Sequence, residues 1–347
     1  MLSALGRPIQ AQSKAHAEVL GLRDFSRPIV VVSKCITFEP VRWDGGIIAS
    51  ELVEKLKPYV SFVPVCPEVE IGLGVPRDPV RIVLVNGEHR LVQPSTGLDF
   101  TDRMRNFAES FLNSLREVNG FILKSGSPSS GFKNVKIYPK MGKSASIARG
   151  PGFFGGAVLE RFPGLAVEDE HRLLNPRIKE HFLTKLFTLA SFRDVKKSNA
   201  MRKLVEFQSE NKYLLTAYSQ KELGVLGRLV ANQEGKPVDE IVKIYELHLQ
   251  SALKRPSSLG SNVNVMMKIM GYFSHQLTAK EKSFFLNSLE KYRTGRLPLS
   301  ACINILQAWI LRFQQEYLTS QTFLEPYPEE LTTLDTTGHS KEKDYWR

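Results

Sequence analysis

Short apolar runs alternate with amphipathic stretches through the first half of the chain. Residues 29–32, 59–65 and 120–123 are short apolar runs that predict strands of a parallel sheet, and the runs at 29–32 and 120–123 are typical of buried strands. Residues 101–118 have apolar side chains at spacings of three and four, and a shorter helix is expected at residues 48–57. The pattern predicts an α/β N-terminal domain with a mainly parallel sheet and a site at the carboxyl ends of its strands.

A β-hairpin is expected within this domain. Residues 81–85 and 90–92 are strand-like, and Asn86 followed by Gly87 is a strong turn signal between them.

Beyond about residue 201 the strand pattern disappears, and helical spacing continues to about residue 317. Thr278 and Glu281 have the spacing of a capping box at the start of one helix. An all-α C-terminal domain is therefore predicted. We divide the chain into an N-terminal arm at residues 1–26, an α/β domain at residues 27–196, a helical domain at residues 197–330 and a disordered tail at residues 331–347.

Composition limits the classes of protein to consider. The chain has 347 residues, of which 42% are hydrophobic, enough to build two buried cores. No apolar run approaches the ~18 residues of a membrane-spanning helix, and the first 26 residues lack the apolar core of a secretory leader. Three cysteines in a chain of this length do not form a disulfide framework, which favours a reducing cytoplasm. Cys302 is expected to be a small buried apolar residue.

The formal net charge of +11 favours a polyanionic partner. Residues 119–150 contain six cations and no acidic residue. This run could be an ordinary solvated face or a track for a phosphate backbone beside the site. Its cations are Lys124, Lys133, Lys136, Lys140, Lys143 and Arg149.

Thiol and hydroxyl side chains follow three of the predicted strands. They lie at residues 33–35, 66–68 and 124–131, each directly after an apolar run. Because ligands bind at the carboxyl ends of parallel strands, we expect these three loops to meet at one site. The glycines at positions 72 and 74 are not followed by a Lys-Ser/Thr pair, which argues against a phosphate-binding loop.

A spaced set of motifs resembles the TudS-like thiouracil desulfidases, and the resemblance covers about residues 27–192. The motifs are SKC at residues 33–35, VRWDGG at 41–46, PVCPE at 64–68, SPSSG at 127–131 and VEDEHRL at 167–173. The stretches KYLLTAY at residues 212–218 and QTFLEPYP at 321–328 give residues from about 200 to 330 a resemblance to the helical domain often fused to that family. The two-domain arrangement is similar to that of the RudS proteins, which remove sulfur from 4-thiouridine in transfer RNA.

The resemblance implies a 4Fe-4S cluster that is held by three cysteines and has one open iron. Cys35 and Cys66 match two of these ligands, whereas the third position is Ser130. A neutral hydroxyl is a poor iron ligand compared with a thiolate. The serine could reflect a recent substitution, a natural change of ligand or a degenerate protein.

The same resemblance gives Glu68 a general acid/base role and Ser127 a hydrogen bond in the substrate pocket. The residues alone favour a solvated carboxylate at Glu68 and a turn at Ser127. Trp43 and Phe38 are candidates for stacking against a base. The implied reaction is a non-redox conversion of C=S to C=O in thiolated uracil, with 4-thiouridine in transfer RNA as the preferred substrate. The alternatives are free thiouracil as the substrate, or an RNA-binding protein without catalysis.

Overall fold

The computed structural model describes residues 23–332. The predicted N-terminal arm and C-terminal tail therefore lie almost entirely outside the described residues. Within the described part of the chain, no helix is both long enough and apolar enough to cross a membrane.

The N-terminal half forms two sheets. Their strands, in chain order, are β1 (Ile29–Ser33), β2 (Ser61–Val65), β3 (Arg81–Val85), β4 (Glu88–Gln93), β5 (Leu98–Asp99), β6 (Gly120–Leu123), β7 (Val135–Tyr138), β8 (Ala148–Gly150) and β9 (Ala166–Asp169). The main sheet has the order β2-β1-β6-β9, and every neighbouring pair is parallel. This confirms the predicted α/β domain.

The second sheet has the order β5-β4-β3-β7-β8 and is mixed. Strands β3 and β4 form the predicted antiparallel hairpin, and both Asn86 and Gly87 at its turn have positive φ. Strand β7 pairs in parallel with β3 and antiparallel with β8. The sequence did not predict β7 and β8, which lie in the basic run.

Four helices belong to this half: α1 (Glu51–Leu56), α2 (Pro67–Glu70), α3 (Thr101–Ser114) and α4 (Phe153–Arg161). Helices α1 and α3 are shorter than predicted. Helix α1 starts only after Ser50, whose hydroxyl accepts a hydrogen bond from the Val53 amide. Helix α3 ends where Leu115 becomes extended, which lets the chain enter β6.

The two central strands of the main sheet, β1 and β6, are buried on both faces. Their side chains alternate in direction, so each strand contributes to a core on either side of the sheet. Val30 and Val32 of β1 pack with Ile122 into one core cluster, and Val31 packs with Phe121 into a second. All five side chains are fully buried. This two-sided burial explains why these strands are continuous apolar runs.

The C-terminal half is mostly helical, as predicted. Its helices are α5 (Pro176–Ser198), α6 (Met201–Glu210), α7 (Lys212–Tyr218), α8 (Gln220–Ala231), α9 (Val238–Ala252), α10 (Leu259–Gly271), α11 (Ala279–Arg293), α12 (Leu299–Phe313) and α13 (Glu316–Thr319). The predicted capping box at Thr278 and Glu281 opens α11. Helix α5 joins the two halves, since Leu186 packs in a sheet cluster and Phe192 in a helical one. Leu331, near the end of the described residues, is buried in the same sheet cluster as Leu186.

Candidate functional site

The loops that follow β1, β2 and β6 meet at one cavity of about 320 Å³. The side chains of Cys35, Cys66, Glu68 and Lys124 line it, together with residues 125–130. The structure therefore brings together all three positions that the resemblance assigns to a cluster, and both positions that it assigns to catalysis. Lys133, Lys136, Lys140 and Lys143 do not line this cavity.

Hydrogen bonds tie the three loops to one another. The Lys34 amide donates to the carbonyl of Val65 at 2.8 Å, which joins the β1 loop to the end of β2. The Lys124 amide donates to the Ser33 hydroxyl at 2.9 Å, which joins the β6 loop to β1. The pairing of the parallel strands therefore fixes the positions of the three loops around the cavity.

The SPSSG loop at residues 127–131 is held by the N-terminal end of α4. The Phe154 amide donates to the Ser129 carbonyl at 2.9 Å, and the Gly152 amide donates to the Gly131 carbonyl at 2.6 Å. These amides have no partner within their own helix, so the loop carbonyls satisfy them. A Cβ added at Gly155 would lie 2.4 Å from the Gly131 oxygen, so only glycine permits this close approach.

Both thiols at the cavity are buried. Burial, with a smaller contribution from the nearby Cys66, raises the pKa of the Cys35 thiol to about 11. Burial also raises the pKa of Cys66. Without a bound cation the two thiols are therefore protonated at neutral pH, and a metal that binds them would displace their protons.

The three positions assigned to the cluster line one cavity, but only two of them carry a thiol. Cys35, Cys66 and the buried Ser130 line the same cavity. Two thiols are ligands that iron prefers, whereas the serine hydroxyl is a weaker donor. Across residues 23–332, no group of three or more His, Cys, Asp or Glu side chains is placed to hold a metal ion.

Glu68 is the centre of a buried polar network. Arg77 Nε donates to Oε2 of Glu68 at 2.9 Å, and Arg77 Nη2 lies 2.8 Å from the same oxygen. The Ser129 hydroxyl donates to Oε1 at 2.7 Å, and the Ser127 hydroxyl lies 3.4 Å from the same oxygen. The carboxylate is therefore fixed on both oxygens.

The two serine hydroxyls form a short relay to this carboxylate. Ser127 Oγ accepts hydrogen bonds from the amides of Ser129 and Ser130, at 3.3 and 3.2 Å. Its proton is then free to point at Ser129 Oγ, 2.9 Å away, while the Ser129 proton points at Glu68. A proton can pass from Ser127 through Ser129 to Glu68 along this path.

Sequence reasoning did not assign roles to Arg77 and Ser129. Ser129 lies inside the SPSSG motif, so its position was the available signal. Arg77 follows Glu68 by nine residues with no helical or strand periodicity between them. Only the folded loop shows that it returns to the cavity.

The predicted phosphate-binding lysines fall into two groups. The Lys124 ammonium is ion-paired with Glu170 at 2.5 Å. Burial, with the positive charge of Arg172, lowers the pKa of Lys133, and the negative charge of Glu168 opposes this lowering. The other three lysines are exposed and, within the described residues, form no ion pair; they are Lys136 on β7 and Lys140 and Lys143 in the loop after it. Glu170 was not identified as a site residue from the sequence.

Two family models match the chain. The model described as 2-thiouracil desulfurase matches residues 30–170, and a protein family of unknown function, DUF1722, matches residues 212–328. The uncharacterized protein YbbK of Bacillus subtilis (strain 168) is 33% identical over 111 residues, which cover 30% of this chain and 73% of YbbK. The chain belongs to the 2-thiouracil desulfurase family.

Two further relatives extend this comparison. The uncharacterized protein YbgA of Escherichia coli (strain K12) is 25% identical over 154 residues, which cover 44% of this chain and 91% of YbgA. The solved structure of the [4Fe-4S]-dependent thiouracil desulfidase TudS is 32% identical and has a TM-score of 0.34. It covers 43% of this chain, and this chain covers 94% of it. In this chain the 2-thiouracil desulfurase match includes the whole cavity.

Proposed function

We propose that this protein removes sulfur from thiolated uracil by a non-redox conversion of C=S to C=O. The observation that supports this most is the single cavity that Cys35, Cys66, Glu68 and Ser127 share, in a domain of the 2-thiouracil desulfurase family. The preferred substrate is 4-thiouridine in transfer RNA. Free thiouracil is the alternative substrate.

The cofactor belongs to the same proposal. Cys35, Cys66 and residue 130 would hold a 4Fe-4S cluster at the cavity wall. When bound, the cluster would supply an open, sulfur-loving iron that polarises the thiocarbonyl. Because Ser130 replaces the third thiol, we expect the chain to bind a cluster more weakly than its Ser130→Cys variant.

Side chains of the cavity would accept the proton that the attacking water releases. Water supplies the oxygen that becomes the carbonyl, and sulfur departs as hydrosulfide, so no electrons are needed from outside. Ser127 would accept one proton of that water while passing its own through Ser129 to Glu68, and the second proton of the water would leave on the sulfur as hydrosulfide. Arg77 would keep the Glu68 carboxylate oriented for this transfer.

Transfer RNA as the partner is supported by charge. The exposed Lys136, Lys140 and Lys143 lie in the acid-free run and could contact phosphates. The target base would have to leave its stack to enter a cavity of about 320 Å³. The helical half would provide the additional surface that a folded RNA needs.

Sulfide release from thiolated transfer RNA and from free 4-thiouracil tests the proposal, using Ser130→Cys protein reconstituted without oxygen. We expect release from the RNA at the higher rate.

In the same background Glu68→Gln should slow release by about 10² to 10⁴-fold, because it removes the proton acceptor. Glu70→Gln is the matched control, since Glu70 is exposed on the same short helix α2. No sulfide from either substrate would contradict the proposed activity, and RNA binding without sulfide would favour a binding protein.

A further inference from the structure

Trp43 is a large aromatic side chain at the rim of the cavity. Its side chain is 48% exposed, and among the described residues that line the cavity it is the one aromatic. Val41, Pro79 and Val80 provide apolar walls in the same cavity. A half-exposed indole beside apolar walls offers a flat surface that a planar ligand can cover.

The loop that contains Trp43 is fixed by its own hydrogen bonds. The Gly45 amide donates to the Arg42 carbonyl at 3.0 Å, and the Gly46 amide donates to the Asp44 carboxylate at 3.0 Å. Arg42 and Asp44 also form an ion pair at 3.3 Å. Gly45 has a φ of 73°, which favours glycine at this turn. The indole is therefore presented by a preorganised turn.

Arg77 links this turn to the acid/base carboxylate. Its amide donates to the Trp43 carbonyl at 2.8 Å, and its Nη1 donates to the Val41 carbonyl at 3.1 Å. The same guanidinium holds Glu68. One buried residue thus fixes the position of the Trp43 turn relative to the group proposed to move the proton.

Phe38, the other stacking candidate from the sequence, packs against residues outside the cavity. Its ring packs edge-on against Phe62 with centroids 5.4 Å apart, and the Lys57 ammonium lies 5.3 Å from its centroid. It does not line the cavity. This leaves Trp43 as the stacking surface at the site.

We propose that Trp43 is the stacking platform for one pyrimidine base that has left its helix. The ligand class rests on the proposed function. A base loses its neighbours when it leaves an RNA stack, and an aromatic side chain replaces that contact. Since uracil and thiouracil both present a π-face, the platform sets the affinity for the base rather than the recognition of sulfur.

Calorimetric titration of the full chain with 4-thiouridine 5′-monophosphate and with uridine 5′-monophosphate tests the platform. Trp43→Ala should raise the Kd of both nucleotides by about 10- to 100-fold, since base–aromatic stacking contributes to that extent. Trp43→Phe retains a ring and should bind within about threefold of the unchanged chain. Ile47→Ala is the matched control, because Ile47 is 49% exposed in the same loop and lies outside the cavity lining.

The possible results distinguish the stacking role of Trp43 from the proposed desulfuration. An unchanged Kd for Trp43→Ala would overturn the platform, and so would failure of the unchanged chain to bind either nucleotide. Binding that depends on Trp43, together with no sulfide release from the Ser130→Cys variant, would support the platform and overturn the proposed desulfuration.

Discussion

Arg77 joins parts of the site that are far apart in the sequence. Its guanidinium pairs with Glu68, donates to the carbonyls of Val41 and Gly74, and lies 4.0 Å from the sulfur of Cys66. Its side chain is almost completely buried. Removing one partner of a buried ion pair leaves the other charge without compensation, which is far more costly than losing an exposed pair.

Arg77→Met should therefore lower the free energy of unfolding by about 3–5 kcal/mol, measured by urea denaturation. The double variant Arg77→Met/Glu68→Gln should recover part of this loss, because it no longer buries an unpaired carboxylate. Arg90→Met is the control, since its pair with Asp99 is partly exposed and should contribute about 0–1 kcal/mol. An equal effect of Arg77→Met and Arg90→Met would show that the Glu68 network does not stabilise the fold.

Individual residues of the site were predictable only where the sequence marks them. Cys35, Cys66 and Ser127 follow apolar strands, and parallel topology brings such loop positions together. Arg77 and Ser129 act through hydrogen bonds formed across the fold, at distances of 9 and 61 residues from Glu68. No periodicity encodes such contacts.

Helix α4 supports the site through its first turn. Gly155 approaches the SPSSG loop so closely that an added Cβ would lie 2.4 Å from the Gly131 oxygen and 2.7 Å from the Ser130 oxygen. At the neighbouring Gly156, an added Cβ would make an ordinary contact of 3.5 Å with Pro151. The two glycines of one helix therefore differ in whether they accept a side chain.

Gly155→Ala should lower the free energy of unfolding by about 1–3 kcal/mol, because the helix and the loop must move apart. Gly156→Ala should raise it by about 0.5–1 kcal/mol, as expected for alanine in a helix. Urea denaturation of both variants measures the contrast. If Gly155→Ala is as stable as Gly156→Ala, the loop is not held by this close approach.

Elements were predictable where one periodicity dominates. The apolar runs of β1, β2 and β6 and the amphipathic pattern of α3 gave the correct element type, although α3 ends at Ser114 rather than at residue 118. Strands β7 and β8 were missed because they are only four and three residues long, too short for a periodicity to be recognised. Strand β7 pairs with β3 of the hairpin and β8 pairs with β7, and this tertiary pairing stabilises strands that the local sequence does not predict.

Helix α5 packs against both halves of the molecule, and His181 lies within it. His181 is buried, and its Nδ1 lies 3.1 Å from the hydroxyl of Tyr218 on α7. Burial, with the nearby positive charges of Lys185 and Arg177, lowers its pKa to about 3. The unfolded chain, with a histidine pKa near 6.5, therefore binds more protons than the folded one between these two values.

Stability contributed by neutral His181 should fall as the pH drops below 6.5. Between pH 7 and pH 5 the unchanged chain should lose about 2 kcal/mol relative to His181→Gln, which does not titrate. Urea denaturation at pH 7, 6 and 5 measures this difference. His89→Gln, at an exposed strand position, is the control. A difference between the unchanged chain and His181→Gln that does not vary with pH would contradict the neutral, buried histidine.

Iron and acid-labile sulfide content shows whether residues 35, 66 and 130 form one cluster site. The protein and its Ser130→Cys variant would be reconstituted without oxygen and measured side by side, with Cys35→Ser and Cys302→Ser in the variant background. We predict about four irons per Ser130→Cys chain, fewer in the unchanged chain, loss with Cys35→Ser and no loss with Cys302→Ser, since Cys302 is buried in the helical half. Iron-free Ser130→Cys protein, or equal iron loss from the Cys35→Ser and Cys302→Ser variants, would show that these three residues do not form a cluster site.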